Sequence, residues 1–138
     1  MEDIQAAETA LITRYRDYYA RTDHDVLREL ERRTLGSDCG GNGYTDVGQA
    51  AHFVELLGVG TGDRLLELGS GAGWPGLYLS EISDASVVIS DIAWEGLAWG
   101  SRRARTDGLA AHGVACSGTT LPFRDRTFQG VTHSDVLC

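Results

Sequence analysis

Leu65-Leu66-Glu67-Leu68-Gly69-Ser70-Gly71-Ala72-Gly73-Trp74-Pro75-Gly76 decides the reading of this chain. An apolar run carries one acid, enters glycines at alternate positions and reaches a proline. The pattern predicts a short buried strand over 64–68, a tight turn, and a helix over 75–82. Pro75 falls in the first turn of that helix, where a missing N–H costs nothing. Alternate glycines let the backbone bend and approach a ligand where a Cβ would collide. The helix directs unpaired N–H groups and the positive end of its dipole into the bend. A nucleotide-like ligand is the natural occupant of such a turn.

Downstream, the pattern keeps alternating. Residues 86–90 form a continuous apolar run, typical of a strand buried on both faces. A helix is expected over 92–105, a short strand over 113–116, a loop carrying Leu121-Pro122-Phe123, and a fourth strand over 129–137. Upstream, Ile4, Ala7, Leu11, Tyr15 and Tyr18 recur at helical spacing over 3–20. A second helix is expected over 25–33, capped near Asp23, with Val26, Leu27 and Leu30 on its apolar side. Residues 36–43 are a glycine-rich loop by composition. A third helix is expected over 46–57, carrying Val47, Ala50, Ala51, Val54 and Leu57, before the glycines of 58–62 end it. Strand and helix in alternation imply an α/β, Rossmann-like parallel sheet with helices on both faces. The expected organisation is a helical extension over 1–43 and a partial cofactor-binding domain over 44–138. The sheet stops after its fourth strand, which leaves an apolar edge. A protein contact is therefore expected there, through Val131, Val136 and Leu137, with a missing C-terminal half or a second copy of the chain.

The 138 residues fit one domain, and the formal net charge is −8. Every basic residue is Arg; the chain has no Lys. That balance argues against nucleic acid or an anionic membrane as the main partner, but leaves room for a small cationic ligand. Cys39, Cys116 and Cys138 are too few and too scattered for a disulfide framework. No CxxC or HxxxH spacing occurs, so no metal site is expected. The first residues, Met1-Glu2-Asp3, lack the basic-then-apolar layout of a signal peptide, and a reduced, cytoplasmic setting is expected.

The glycine turn distinguishes between cofactors. A dinucleotide fingerprint needs a small residue at position 74, for close helix–strand packing, and Trp74 stands there. The pattern is instead Glu67-x-Gly69-x-Gly71-x-Gly73, which resembles motif I of the class I S-adenosylmethionine-dependent methyltransferases. The resemblance implies that Glu67 holds the ammonium of the methionine part, usually through water. It also implies that Gly69, Ser70, Gly71 and Gly73 lie against the cofactor. Asp91 follows Gly69 by 22 residues, an offset at which an acid accepts both hydroxyls of a ribose. It can equally cap the next helix, and the two roles are compatible. Ile92 would flank the adenine ring.

The stretch Cys116-Ser117-Gly118-Thr119-Thr120-Leu121-Pro122-Phe123-Arg124-Asp125-Arg126-Thr127-Phe128 resembles the segment after the third strand of the same family. Ser117, beside Gly118, stands where the family places an acid that receives the adenine amino group. A hydroxyl accepts that bond more weakly than a carboxylate. The family's Asp after Phe is Gln129 here. Leu121 and Phe123 also read simply as an apolar plug under the loop. The resemblance runs from about Tyr44 to Cys138 and looks nearest to the ubiquinone/menaquinone-biosynthesis-like and small-molecule methyltransferases.

Acceptor chemistry is less legible. Ligands in open α/β sheets bind beyond the carboxyl ends of strands, which makes His133 and Asp135 catalytic candidates, His as general base. Both also read as the polar end of a strand. Tyr44 precedes the third helix where the family closes over the cofactor's methionine end, and Trp74 can reach a sulfonium by cation–π attraction. Trp94 and Trp99 are five apart on one helix and share no clean face. Tyr15, Tyr18 and Tyr19 either cover a pocket or dock their helix. The resulting reading is methyl transfer from S-adenosylmethionine to a small-molecule acceptor, or the cofactor half of such an enzyme. The alternatives are a non-catalytic cofactor- or partner-binding module and an NAD(P)-dependent oxidoreductase.

Overall fold

The computed structural model describes residues 2–22, 25–41 and 43–136. Asp46 opens the α/β part of the chain with a reciprocal capping box. Its carboxylate accepts the Gln49 N–H (2.8 Å) while the Gln49 side chain accepts the Asp46 N–H (3.0 Å), satisfying two orphan donors of helix α3 (Val47–Leu57). Gly58 in the left-handed conformation ends that helix. Then follow β1 (Arg64–Leu68), α4 (Gly76–Ser83), β2 (Ser86–Asp91), α5 (Trp94–Asp107), β3 (Ala111–Ala115) and β4 (Gly130–His133). Ahead of them lie α1 (Glu2–Thr22) and α2 (Asp25–Leu35). Pro75 stands at the N-cap of α4, one position outside the first turn.

All strand pairs are parallel, in the order β3-β2-β1-β4, with helices packed around the sheet. β1 is an inner strand, between β2 and β4. The register sets Glu67 opposite Ile89 on one side and Thr132 on the other. Leu65, Val87 and Ile89 point from the sheet into a core shared with Leu77 and Leu79 of α4 and Leu97 of α5, all of them fully buried. Fully burying each such side chain contributes about 1.5–3 kcal/mol.

β4 is shorter than its apolar pattern suggests. It stops at His133, because Asp135 turns left-handed (φ +57°) and Ser134 and Asp135 bond to the segment before α3. Leu137 and Cys138 lie outside the described residues. Val131, on the edge strand, is 53% exposed.

α2 departs from its expected packing. Val26 and Leu30 are exposed, and none of its described residues is buried. Charge holds it instead. Asp38 pairs with Arg28 (3.3 Å) and Arg32 (2.7 Å) of α2 and with Arg103 of α5, whose guanidinium also lies over the Trp99 ring (5.7 Å). The cap expected at Asp23 lies outside the described residues. Of the two tryptophans on α5, Trp99 is buried and Trp94 exposed. No helix among the described residues is long and apolar enough to cross a membrane.

Candidate functional site

β1 delivers the chain into the glycine turn, where Gly69 (φ +67°), Gly71 (+53°) and Gly73 (+113°) all adopt positive φ. Ser70 N–H donates to the Ser90 carbonyl (2.9 Å) and Gly73 N–H to the Ser70 carbonyl (2.8 Å), so the turn is fixed to β2 and to itself. At Gly71 any side chain would be strained by the backbone, and a Cβ would also meet the Tyr19 hydroxyl of α1. At Gly69 a Cβ would meet Val136.

Two further glycines matter that sequence reasoning did not single out. A Cβ on Gly96 would stand 2.8 Å from the Gly71 carbonyl, and one on Gly100 2.7 Å from the Ala72 oxygen. These obstacles are backbone atoms, so α5 rests directly on the turn. The i, i+4 spacing of the pair on one helix was the available signal.

Asp91, at the end of β2, joins the same assembly. Its Oδ2 accepts the Gly71 N–H and its Oδ1 the Ala93 N–H, both at 2.8 Å. Ala93 is the N-cap residue of α5 and has no side-chain acceptor of its own, and Asp91 satisfies its backbone N–H at the start of the helix. A carboxylate offers about four lone-pair positions, so acceptor capacity remains for a ligand.

Turn, strand ends and α1 enclose a cavity of about 630 Å³. That volume suits a cofactor-sized molecule. Of the expected site residues, Gly69, Ser70, Gly71, Asp91, Ile92, Gly118, His133 and Asp135 line it. Four others stand elsewhere. Gly73 packs on Leu77 behind the turn. Ser117 spends its hydroxyl on Glu8 of α1 (2.8 Å), and Cys116, Gly118 and Thr119 form the wall there. The Tyr44 ring, expected to close over the site, is 95% exposed, and only its backbone N–H is engaged. Glu67 is fully buried behind the wall, bonded by the Thr132 hydroxyl, with Oε1 unpartnered. Its Cβ and Cγ face Gly76 of α4.

The helical extension supplies walls that the sequence left open. Tyr15 and Tyr19 line the cavity with stacked rings 6.2 Å apart, beside Glu8 and Leu11. α1 is held there by Arg16–Glu95 (2.7 Å) and by the Glu8–Ser117 bond. Trp74 lines the opposite side, its indole N–H on the Thr45 carbonyl (3.0 Å).

The charge of the lining is one-sided. Glu8, Asp91 and Asp135 are its acids, and no Arg is among its described lining residues. Such a cavity favours a cation and opposes a pyrophosphate. Burial pushes the Glu67 carboxyl up to about 8, against the pull of the Thr132 hydroxyl, so the acid is largely neutral at pH 7. Burial also raises the Cys116 thiol, which keeps it protonated and a poor nucleophile. Among the described residues no group of three or more His, Cys, Asp or Glu side chains is placed to hold a metal ion.

A family described as a methyltransferase domain matches residues 65–138. No curated protein matches the chain. Among solved structures, the chain is similar to phosphoethanolamine N-methyltransferase 2 of Haemonchus contortus, solved with phosphomonomethylethanolamine and S-adenosylhomocysteine. Identity is 21% over 88% of this chain and 29% of that one, with a TM-score of 0.67. It is similar to a geranyl diphosphate methyltransferase solved with geranyl diphosphate and sinefungin, at 25% identity over 64% of this chain and 34% of that one, TM-score 0.59. It is also similar to a methyltransferase of Aquifex aeolicus, at 17% identity over 86% of this chain and 55% of that one, TM-score 0.58. The chain thus spans between 29% and 55% of the length of these proteins.

Proposed function

The chain belongs to the methyltransferase domain family, and from that membership we propose that its cavity binds S-adenosylmethionine for methyl transfer to a small-molecule acceptor. The observation that carries this reading is Asp91 at the mouth of a glycine turn in a cavity whose ionised side chains are acids. Its free acceptor positions suit two ribose hydroxyls. The glycine turn lets the ligand lie on bare peptide. Tyr15 and Tyr19 present aromatic faces, which attract a sulfonium. The acidic lining disfavours NAD, which would bring a pyrophosphate to a cavity whose described wall residues include no Arg.

When bound, S-adenosylmethionine supplies an electrophilic methyl carbon, and its sulfur keeps the bonding pair on transfer. The chain's own task is to hold, desolvate and align. Alignment of the acceptor supplies on the order of 7–11 kcal/mol of the barrier reduction. His133 lines the cavity at the end of β4, where it serves as the base for an acceptor that must lose a proton. The edge at β4, with Val131 exposed, is where further chain or a second copy would extend the sheet.

Calorimetric titration of the 138-residue chain with S-adenosylmethionine, and separately with NAD, tests the proposal. Saturable binding of the first at micromolar concentration and none of the second is expected. The reverse pattern, or no binding of either, would overturn it.

A further inference from the structure

We propose that Asp135 is a positioning residue, which clips the strap of residues 36–41 and 43–45 to the end of β4 and so holds the cavity wall in place. For its ligand this rests on the cofactor reading above; for its geometry it does not. Asp135 Oδ2 accepts the Tyr44 N–H at 2.9 Å, the Thr45 N–H at 3.3 Å and the Thr45 hydroxyl at 3.3 Å. The hydroxyls of Thr45 and Ser134 bond to each other alongside. The partners are about ninety positions apart in sequence, so these bonds join two separate segments.

The strap is built for this contact. A Cβ at Gly43 would fall on the Asp135 carboxylate, 2.7 Å from its Cγ, so only glycine leaves the carboxylate its place. Asp135 itself sits in the left-handed region at φ +57°, which turns the end of β4 toward the strap. The far end of the strap is held separately. Asp38 is paired with three arginines, and Gly40 N–H donates to Glu31 (3.1 Å).

The clip reaches the cavity through what the strap carries. Gly40 and Gly43 are wall residues, and the Thr45 carbonyl fixes the indole of Trp74, another wall residue. Releasing Asp135 would therefore free Gly43 and the Trp74 anchor together. This role differs from that of a general base, which would leave the strap and the bound cofactor undisturbed and slow only the chemical step.

The test uses Asp135→Ala, with Asp135→Asn as the conservative variant that keeps one acceptor oxygen. Amide hydrogen exchange at Tyr44 and Thr45 is measured without ligand. Stopped-flow tryptophan fluorescence then follows association and dissociation of S-adenosylmethionine. In Asp135→Ala both amides are expected to exchange faster by roughly tenfold or more, the scale of one lost hydrogen bond to a charged group. Cofactor dissociation is expected to quicken by a similar factor, with Asp135→Asn in between for both. Unchanged exchange would overturn the clip. Faster exchange with unchanged dissociation would overturn its hold on the wall. A wild-type chain that binds no cofactor would defeat the cofactor reading, while the exchange measurement would still decide the clip.

Discussion

Asp91→Ala is expected to lower affinity for S-adenosylmethionine at least about 100-fold, because the proposed binding mode has its carboxylate accept two ribose hydroxyls at about 1.5–3 kcal/mol each. The same change acts on the empty protein. The carboxylate holds the N–H groups of Gly71 and Ala93, one in the glycine turn and one at the start of α5. Losing the bond to the Ala93 N–H costs about 1 kcal/mol. The orphaned Gly71 N–H, part-buried at the turn, adds to that. Asp91→Asn keeps one acceptor oxygen but turns an NH2 donor toward the N–H of either Gly71 or Ala93, so it should recover only part of the stability and part of the affinity. Calorimetry for affinity and thermal melting for stability separate the two effects. Wild-type affinity in Asp91→Ala would remove Asp91 from the site.

Glu67→Gln is expected to abolish a loss of stability that the wild-type chain suffers between about pH 4.5 and pH 8. Burial raises this carboxyl from an ordinary value of 4.5 to about 8 in the fold. The sign follows from proton counting. Between those values the folded chain keeps the proton while the unfolded chain releases it, so stability falls as pH rises and levels off above the folded value. Each pH unit in that window costs about 1.4 kcal/mol. The melting temperature of the wild type should drop by roughly 10 °C or more across it. Glutamine is neutral at every pH, has nearly the same shape, and still accepts the Thr132 hydroxyl. The expected melting curve of the variant is flat over the same window. Parallel pH profiles for the two proteins would show that Glu67 is ionised in the fold.

The glycine turn was legible in the sequence because alternate glycines after a buried strand leave few other readings, and all three do take positive φ. Asp91 was legible through its spacing as a residue at the end of a strand, and it lines the cavity and accepts the Ala93 N–H at the start of α5. Residues whose role depends on distant segments were not legible. The sequence offered Ser117 as an adenine acceptor and could not show that its hydroxyl donates to Glu8, 109 positions away. Tyr44 looked like an aromatic lid, but the strap uses its backbone N–H and sends the ring to solvent. Sequence pattern reports side-chain type and is silent on which backbone donors are engaged. Gly96 and Gly100 were not singled out, because their reason is the turn backbone packed against them. α2 shows the opposite failure. Its apolar spacing implied a buried face, but the three-arginine cluster around Asp38 holds it with Val26 and Leu30 exposed.

The most direct measurement is a crystal structure of the chain grown with S-adenosylmethionine. Density for the ligand is expected between the glycine turn and α1, with both ribose hydroxyls within hydrogen-bond distance of Asp91. Ordered ligand bound elsewhere, or in the cavity with its ribose away from Asp91, would contradict the account.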